Sequence, residues 1–319
     1  MSILNWKGVY SALLTPFDDN DSIDFKVFDA NIETQLAAGV DGLVLGGSLG
    51  EASTLTGEEK NNLLVYAKEL VGNKVPVILN IAEQSTREAI KVAQNAEHNG
   101  ADGLMVLPPM RYKADDVETL EYFKKIAGNT SLPIMVYNNP HDYKIEVTLD
   151  MFEQLEKVPS IQAIKESTRD VSNVTRLKNR FGDRFKILCG VDTLAFEELA
   201  LGADGWIGGL VNAFPVETVA IYRLLQAGKY EEALKIYRWF LPLLELDIHP
   251  KFVQYIKMAS MINGCGNECV RAPRLKLLGE EKERILLLIN KALETRFEIH
   301  DYLQFGNSTI ADGAESQRA

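Results

Sequence analysis

The chain is short of cysteine and histidine, and these shortages disfavour whole classes of site. Its 319 residues include three cysteines and four histidines. Three thiols are too few, and odd in number, for a disulfide framework, which favours a reducing compartment and a cytoplasmic protein. Cys265 and Cys269 have the spacing of a possible metal pair, but no histidine stands close to them, so we predict no zinc or other metal site.

The chain also lacks a net positive charge and long apolar runs. The formal net charge is -11 and the pI is about 5.0. Nucleic acids and anionic membranes are bound by clustered cations, so neither is an expected partner. No apolar run approaches the roughly 20 residues of a membrane span, and the first ten residues lack the pattern of a signal peptide. The composition therefore favours a protein that acts on a small molecule.

Short apolar runs alternate with longer amphipathic segments through much of the chain, as in parallel strands joined by crossover helices. We predict eight strands, at residues 9–14, 42–45, 75–81, 103–106, 133–137, 161–165, 186–190 and 206–208. Eight alternations predict an α/β fold, a (β/α)8 TIM barrel. The alternative is a doubly wound open sheet, which usually has a glycine-rich phosphate turn after its first strand; residues 14–17 are not such a turn.

A short pattern recurs before three of these strands. Residues 39–42, 100–103 and 202–205 each read Gly-X-Asp-Gly. We expect each to be a helix that ends in glycine, followed by a strand that enters the barrel.

Beyond residue 212 the strand pattern stops. Segments 216–227, 230–246, 250–263 and 280–297 carry apolar residues at helical spacing. We therefore predict a barrel in residues 1–225, a C-terminal helical region packed on it in residues 226–305, and a disordered tail in residues 306–319.

The stretch SIQAIKEST places an amine at the end of an apolar strand. In a barrel of this kind the carboxyl ends of the strands form the active site. A free lysine has a pKa of about 10.4, so it becomes a nucleophile near neutral pH only when it is desolvated or lies beside another cation. Lys165 is therefore a candidate for Schiff-base formation. The ordinary alternative is a lysine that marks a strand edge and reaches into water.

Two further features support a chemical role for Lys165. Tyr137 ends the preceding strand, so a phenol that can transfer protons is expected at the same rim. After the second strand, residues 46–53 read GGSLGEAS. Glycines there let backbone N–H groups approach a carboxylate, a helix that follows would favour the anion, and Ser48 adds a hydroxyl. Taken singly, these features are typical of a boundary tyrosine and an ordinary tight turn.

Three motifs together resemble a known family. GSLGE at residues 47–51, YNNP at 137–140 and IKES at 164–167 are similar, in order and spacing, to signatures of the dihydrodipicolinate synthase/N-acetylneuraminate lyase superfamily. The resemblance covers about residues 8–302. It implies a TIM barrel with a C-terminal helical extension, usually a homotetramer, and class I lyase chemistry on a 2-oxo acid, commonly pyruvate, without metal or organic cofactor.

The resemblance also implies roles for individual residues. Lys165 would form the imine, Tyr137 would relay protons, and Ser48 with Gly47 would hold the carboxylate, Ser48 also serving as a relay hydroxyl. The other expected substrate-binding residues are Leu49, Asn139, Gly190 and Ile207.

Three departures separate this sequence from dihydrodipicolinate synthase. Asp142 stands where that enzyme has an arginine for the carboxylate of its aldehyde substrate, and Leu49 replaces the second hydroxyl of the turn. Pro109 and Met110 lie where the synthase has a tyrosine pair, one of which reaches the neighbouring subunit's site. Tyr112 is an uncertain substitute for that tyrosine.

These departures make one branch of the superfamily our first expectation. LPPMRYKA, YNNP, IKEST, CGVD and GLVNAFP resemble the branch that includes 1-pyrroline-4-hydroxy-2-carboxylate deaminases of hydroxyproline degradation. There the lysine would attack a cyclic imine, and loss of water and ammonia would give 2-oxoglutarate semialdehyde. Dihydrodipicolinate synthase, and a pyruvate-dependent aldolase or dehydratase of a sugar-derived 2-oxo acid, are the alternatives.

Two other classes of function fit less well. A binding protein on a barrel that has lost catalysis has no physical reason to keep Lys165, Tyr137 and Ser48 together. A metal-dependent barrel enzyme needs converging carboxylates or histidines. Glu51 and Glu166 are the evident candidates, and we interpret both as acidic residues at helix starts, where they favour the helix dipole.

Overall fold

The computed structural model of the chain describes residues 4–109, 112–299 and 301–306. These residues form eight parallel strands in one closed barrel, in the order β1 to β8, with β8 paired to β1. The strands are β1 Gly8–Ala12, β2 Gly42–Leu45, β3 Val77–Ile81, β4 Gly103–Val106, β5 Ile134–Asn138, β6 Ile161–Glu166, β7 Lys186–Cys189 and β8 Gly205–Gly208. The TIM barrel prediction is confirmed, and each strand lies within two residues of its predicted bounds.

Helices cover the outside of the barrel. The helices between the strands, together with the first one after β8, are α1 Phe25–Ala37, α2 Gly57–Val71, α3 Thr86–His98, α4 Asp116–Ala127, α5 Pro140–Tyr143, α6 Leu149–Leu155, α7 Ser172–Phe181, α8 Ala195–Ala200 and α9 Pro215–Gln226. Because both faces of the sheet are covered, β3 is buried along its whole length and consists almost entirely of apolar residues. The first turn of α2 is closed by a capping box between Thr56 and Glu59.

The repeated Gly-X-Asp-Gly pattern is a structural joint. Its first glycines have left-handed backbone angles, with φ of +82° at Gly39, +80° at Gly100 and +99° at Gly202, which is the conformation that ends a helix at glycine. Each aspartate then accepts a hydrogen bond from an N–H at the start of the preceding strand. The pairs are Asp41 with Val9 (2.8 Å), Asp102 with Val77 (2.8 Å) and Asp204 with Ile187 (3.0 Å). The pattern therefore fixes where neighbouring strands begin.

The C-terminal region is helical as predicted, with α10 Tyr230–Leu244, α11 Phe252–Ile262 and α12 Gly279–Glu294. One cluster of buried apolar side chains runs from the strands into these helices, for example from Phe214 to Phe240 and Ile285. The division of the chain at residue 225 stays a prediction. The predicted disordered tail lies, beyond residue 306, outside the described residues. In the described part of the chain, no helix is both long and apolar enough to cross a membrane.

Candidate active site

One cavity of about 450 Å³ opens at the carboxyl ends of the strands. It brings together every residue that the sequence analysis assigned to the site. These are Gly47, Ser48, Leu49, Tyr137, Asn139, Lys165, Gly190 and Ile207. They come from β5, β6, β8 and the connections that follow β2, β5 and β7, so residues far apart in sequence share one pocket. Their chemical roles stay predictions.

Tyr137 and Lys165 are direct neighbours on adjacent strands. Their Cα atoms are partners in the parallel register of β5 and β6. The Lys165 Nζ lies 4.1 Å from the centroid of the Tyr137 ring. The ring face carries partial negative charge and attracts the ammonium form, while the phenol oxygen accepts a hydrogen bond from Asn139 Nδ2 at 3.3 Å. The barrel register thus delivers an amine and a phenol to one point.

Burial decides the protonation of both groups. The side chain of Lys165 is 6% exposed, and burial lowers its pKa, against the opposing effects of Tyr143 and Asp247. Burial raises the pKa of Tyr137 to about 12. Loss of hydration disfavours the charged form in each case. The site therefore moves the lysine towards the free amine and keeps the tyrosine a neutral phenol.

Gly190 leaves the space that Lys165 occupies. A Cβ atom at this position would lie 2.6 Å from Lys165 Cε and 2.2 Å from Ser167 Oγ. Carbon atoms do not approach to that distance without a shift of one of them. A glycine after β7 is therefore a condition for the lysine conformation.

The turn that carries Ser48 has free backbone donors. Gly46 and Glu51 have left-handed φ of +62° and +57°. Within the described residues, the N–H groups of Gly47, Ser48 and Leu49 donate to no protein acceptor. The helix expected to start directly after the glycines is a short 3-10 turn, Ala52–Thr54, and α2 begins only at Gly57. An anion bound here would therefore be bound by the backbone N–H groups of the turn and not by the end of α2.

The two glutamates that the sequence analysis placed at helix starts have other roles. Glu166 is the last residue of β6, where its carboxylate accepts bonds from the Thr168 N–H (2.7 Å) and Asn173 Nδ2 (2.8 Å). Glu51 is fully buried and pairs with Lys257 of α11, Nζ to Oε1 2.6 Å. The helix-dipole interpretation was wrong for Glu166, whereas Glu51 does precede the 3-10 turn Ala52–Thr54 but makes no side-chain cap bond to it. Each carboxylate fixes a loop next to the pocket by direct hydrogen bonds.

Comparison with known proteins agrees with this architecture. The model of the dihydrodipicolinate synthetase family matches residues 5–292. A 4-hydroxy-tetrahydrodipicolinate synthase of Exiguobacterium sibiricum is 35% identical over 280 residues, which are 87% of this chain and 94% of that protein. The chain belongs to the dihydrodipicolinate synthetase family. It is accordingly an enzyme, a class I lyase; enzymes of this family form a lysine Schiff base with pyruvate and need no cofactor.

Solved structures of family members superpose closely. The 4-hydroxy-tetrahydrodipicolinate synthase of Methylacidiphilum fumariolicum SolV has a TM-score of 0.86 at 30% identity, covering 90% of this chain and 96% of that one. A chloride-inhibited dihydrodipicolinate synthase of Acinetobacter baumannii, complexed with pyruvate, has a TM-score of 0.84 at 26% identity and covers 90% and 98%. The family resemblance of the sequence is confirmed. These relatives carry the name that the sequence analysis kept as an alternative, and nothing in the comparisons indicates the deaminase branch.

The C-terminal region supplies a wall of the pocket that sequence reasoning missed. Asp247, in the 3-10 turn Glu245–Ile248 after α10, lines the cavity. A Cβ atom on Gly209 would lie 2.5 Å from its Oδ1, so a glycine after β8 lets this carboxylate in. Burial raises the pKa of Asp247 well above its usual range, with a further contribution from Asp192. Only tertiary contact reveals this residue, because its sequence context is that of an ordinary helix end.

The departures from the synthase pattern are visible in the same pocket. Asp142 lines it and accepts a bond from Asn139 Nδ2 at 2.8 Å. The cation that the family places near this point is absent from that position, but Arg169, in the connection after β6, also lines the pocket. Among the described residues Arg169 has no hydrogen-bond or ion-pair partner. It is a cation at the pocket that no acidic side chain of the described residues pairs with.

The structure describes only part of the segment in which we expected the tyrosine pair to be lost. Pro109 is buried in the connection after β4, three residues beyond the strand, whereas Met110 lies outside the described residues. Tyr112 is 57% exposed and does not line the pocket of its own chain.

Within residues 4–109, 112–299 and 301–306, no group of three or more histidine, cysteine or acidic side chains is arranged to hold a metal ion.

Proposed function

We propose that the protein is a Schiff-base lyase in which Lys165 forms an imine with pyruvate or a closely related 2-oxo acid. The observation that carries the proposal is the pairing of Lys165 with Tyr137: a desolvated amine and a neutral phenol at one register position, 4.1 Å from Nζ to ring centroid, in the barrel's pocket. Family membership gives the reaction class, and this pair supplies the two functional groups that the class requires.

The chemistry follows from the two pKa shifts. The free amine of Lys165 attacks the ketone carbon, forming the C–N bond while the carbonyl oxygen takes up a proton. The nitrogen then gives up one proton and the oxygen takes up a second, the C–O bond breaks, and the oxygen leaves as water, which leaves a protonated C=N bond. The oxygen takes up two protons and the nitrogen gives up one, so a neutral phenol in reach that can pass protons between them contributes acid–base catalysis. We assign that role to Tyr137.

The turn after β2 would hold the carboxylate of the 2-oxo acid. Its unpaired N–H groups at Gly47, Ser48 and Leu49 are hydrogen-bond donors in a region of low exposure. Hydrogen bonds to an ionised acceptor are about twice as strong as neutral ones. Leu49, Asn139, Gly190 and Ile207 complete the walls around the imine.

Reductive trapping tests the proposal. The protein is incubated with pyruvate and borohydride, and its intact mass is measured for wild type, Lys165→Ala and Lys186→Ala. Lys186 is a matched control because it is a strand lysine at the opposite, amino end of β7. We expect wild type and Lys186→Ala to gain the mass of pyruvic acid less one oxygen atom, and Lys165→Ala to gain nothing. An unmodified wild type, or an adduct on Lys165→Ala, contradicts the assignment.

Within this class, we propose 4-hydroxy-tetrahydrodipicolinate synthase as the first candidate activity. The relatives described above carry that name, and their match to this chain covers most of both chains. The second substrate of a synthase of this kind carries a carboxylate, and unpaired Arg169 at the pocket offers it a cation. Arg169→Ala should therefore raise the KM for the aldehyde at least about tenfold, since a charged hydrogen bond is worth about 1.5–3 kcal/mol, and leave trapping of pyruvate unchanged.

The second candidate is the 1-pyrroline-4-hydroxy-2-carboxylate deaminase. It is favoured by one observation, the presence of Asp142 and Asp247 on the pocket wall, since two carboxylates suit a protonated ring nitrogen better than an anionic aldehyde. Supplying the pyrroline alone distinguishes the candidates. Release of ammonia and 2-oxoglutarate semialdehyde from it supports the deaminase, whereas consumption of pyruvate only with the aldehyde supports the synthase.

We also propose that the chain assembles into a homotetramer, as the family resemblance implies. Large apolar side chains are exposed on the C-terminal region, including Leu275, Leu278 and Leu287 at 76%, 77% and 71%. Apolar side chains of this size favour burial between subunits. Light scattering after size exclusion gives the mass directly, and a monomer at micromolar concentration contradicts the proposal.

A further inference from the structure

Tyr143 stands behind the pocket in a position that none of the roles above explains. It is the last residue of α5 and is half-buried. Its hydroxyl forms a short hydrogen bond with Ser48 Oγ. Its ring meets that of Tyr137 edge to face, with the centroids 5.6 Å apart. One phenol therefore contacts both predicted proton-transfer residues.

The local fold holds Tyr143 there. Pro140 occupies the first turn of α5, and the Asn139 side chain caps the helix by accepting the Asp142 N–H at 3.1 Å. Lys144 then adopts a left-handed φ of +63° and ends the helix after one turn. That conformation is unfavourable for a residue other than glycine. The chain thus turns back sharply enough for the Tyr143 ring to reach Tyr137 on the strand that it has just left.

The chemistry of the proposed reaction needs more than one hydroxyl. Burial raises the pKa of Tyr137 to about 12, so at neutral pH the phenol is already protonated and can accept a proton only if it passes its own on. A chain of hydroxyl groups solves this difficulty, because each can donate one proton and accept another without any of them holding a full charge. Ser48 lines the pocket and can face the substrate, while its bond to Tyr143 continues the chain away from the pocket.

We propose that Tyr143 is the outer member of a proton relay that reaches the substrate through Ser48, so that one chain contains the relay without a tyrosine from another subunit. This proposal rests on the function proposed above. Tyr143 does not line the pocket, so it acts through Ser48 as a positioning residue and not by contact with substrate. Burial raises the pKa of Tyr143, which keeps its hydroxyl protonated and able to donate.

The relay predicts a specific split of kinetic effects. Tyr143→Phe keeps the ring that packs on Tyr137 and removes only the hydroxyl. Because proton transfer contributes roughly 10²–10⁴-fold to such reactions, we expect the rate of reductive trapping by pyruvate and kcat to fall about 10- to 100-fold. The KM for pyruvate should change by less than about twofold, since the carboxylate cradle is intact. Tyr230→Phe is the matched control, because it removes an exposed phenol outside the pocket, and Tyr112→Phe tests for a relay tyrosine from another subunit.

A double variant separates a relay from a general loosening of the site. If Tyr143 acts through Ser48, Tyr143→Phe should have little further effect on the trapping rate once Ser48→Ala has been made. Far- and near-ultraviolet circular dichroism checks that all variants fold alike. The relay is overturned if the losses in the double variant are additive or if Tyr143→Phe traps pyruvate at the wild-type rate. In either case the adduct on Lys165 of the wild-type protein would still support the proposed function. Loss on Tyr112→Phe alone assigns the relay to a neighbouring subunit, and absence of any wild-type adduct overturns both proposals.

Discussion

The buried ion pair between Glu51 and Lys257 gives the sharpest stability prediction. It joins the turn that carries Ser48 to α11 of the C-terminal region, and the two side chains are 0% and 1% exposed. Lys257 Nζ also donates to the Cys269 carbonyl at 2.5 Å and lies 4.7 Å from the centroid of Phe17. In Lys257→Met the aliphatic stem is kept, so the change removes charge and hydrogen bonds with little change in packing.

The magnitude follows from what Glu51 would lose. Removing one partner of a buried pair typically costs 3–5 kcal/mol, because the other charge stays buried without compensation. Here the Arg271 N–H at 3.2 Å and Arg274 at 3.5 Å still face Glu51 and offset part of the loss. We therefore expect Lys257→Met to lower the free energy of unfolding by about 3 kcal/mol. The KM for pyruvate should rise as well, because Glu51 holds a left-handed φ in the same turn as Ser48.

Urea unfolding followed by circular dichroism measures the change, with thermal midpoints as a second readout. Lys251→Met is the matched control: it breaks the exposed pair with Glu281, and such pairs contribute about 0–1 kcal/mol. Glu51→Gln combined with Lys257→Met should be less destabilised than the sum of the single changes. If Lys257→Met loses less than about 1 kcal/mol, or if the double variant shows the full sum, the pair does not anchor the turn.

The other predictions concern the lysine and its surroundings. Burial lowers the pKa of Lys165, so the trapping rate should fall as pH drops through a pKa below 10.5, and a midpoint at or above 10.5 contradicts this. Between the pKa of Lys165 in the folded protein and its higher pKa in the unfolded chain, the folded state binds fewer protons, so the free energy of unfolding rises with pH in that range. Lys165→Met should abolish that slope in urea titrations. Asp247→Asn removes a charge that raises the pKa of Lys165, so the pH profile of trapping should move to lower pH; an unmoved profile shows that Asp247 is uncharged. Gly190→Ala brings a methyl group to 2.6 Å from Lys165 Cε, so trapping should fall more than about 100-fold while the cost of overpacking stays at about 1–3 kcal/mol in unfolding assays; trapping at the wild-type rate contradicts the geometry.

Local sequence pattern determined most of the fold. Apolar runs of three to seven residues, separated by amphipathic segments, were sufficient to find all eight strands, because strands buried on both faces must be continuously apolar. The three Gly-X-Asp-Gly joints were visible for a similar reason, since left-handed helix ends favour glycine. Predictions that depend on one segment alone, such as the end of β5 at Tyr137 and of β6 at Lys165, therefore held to within a residue or two.

Predictions about where a charged side chain goes fared less well. Glu51 and Glu166 both follow strands and were interpreted as helix-start residues, but Glu51 lies buried against Lys257, 206 positions along the chain. A buried carboxylate and an exposed one at a helix start have the same sequence context. The partner that distinguishes them is chosen by packing of the C-terminal helices on the barrel.

Local pattern along the chain was enough to predict a TIM barrel with an amine and a phenol at neighbouring strand ends. The groups around that amine and phenol depend on the folded chain: the Asp247 carboxylate admitted by Gly209, the free Arg169 cation at the pocket, and the Tyr143 hydroxyl bonded to Ser48. The reason is physical. Backbone periodicity is a local property of the chain, whereas the electrostatics of a pocket is the sum of groups that closure of the barrel brings together.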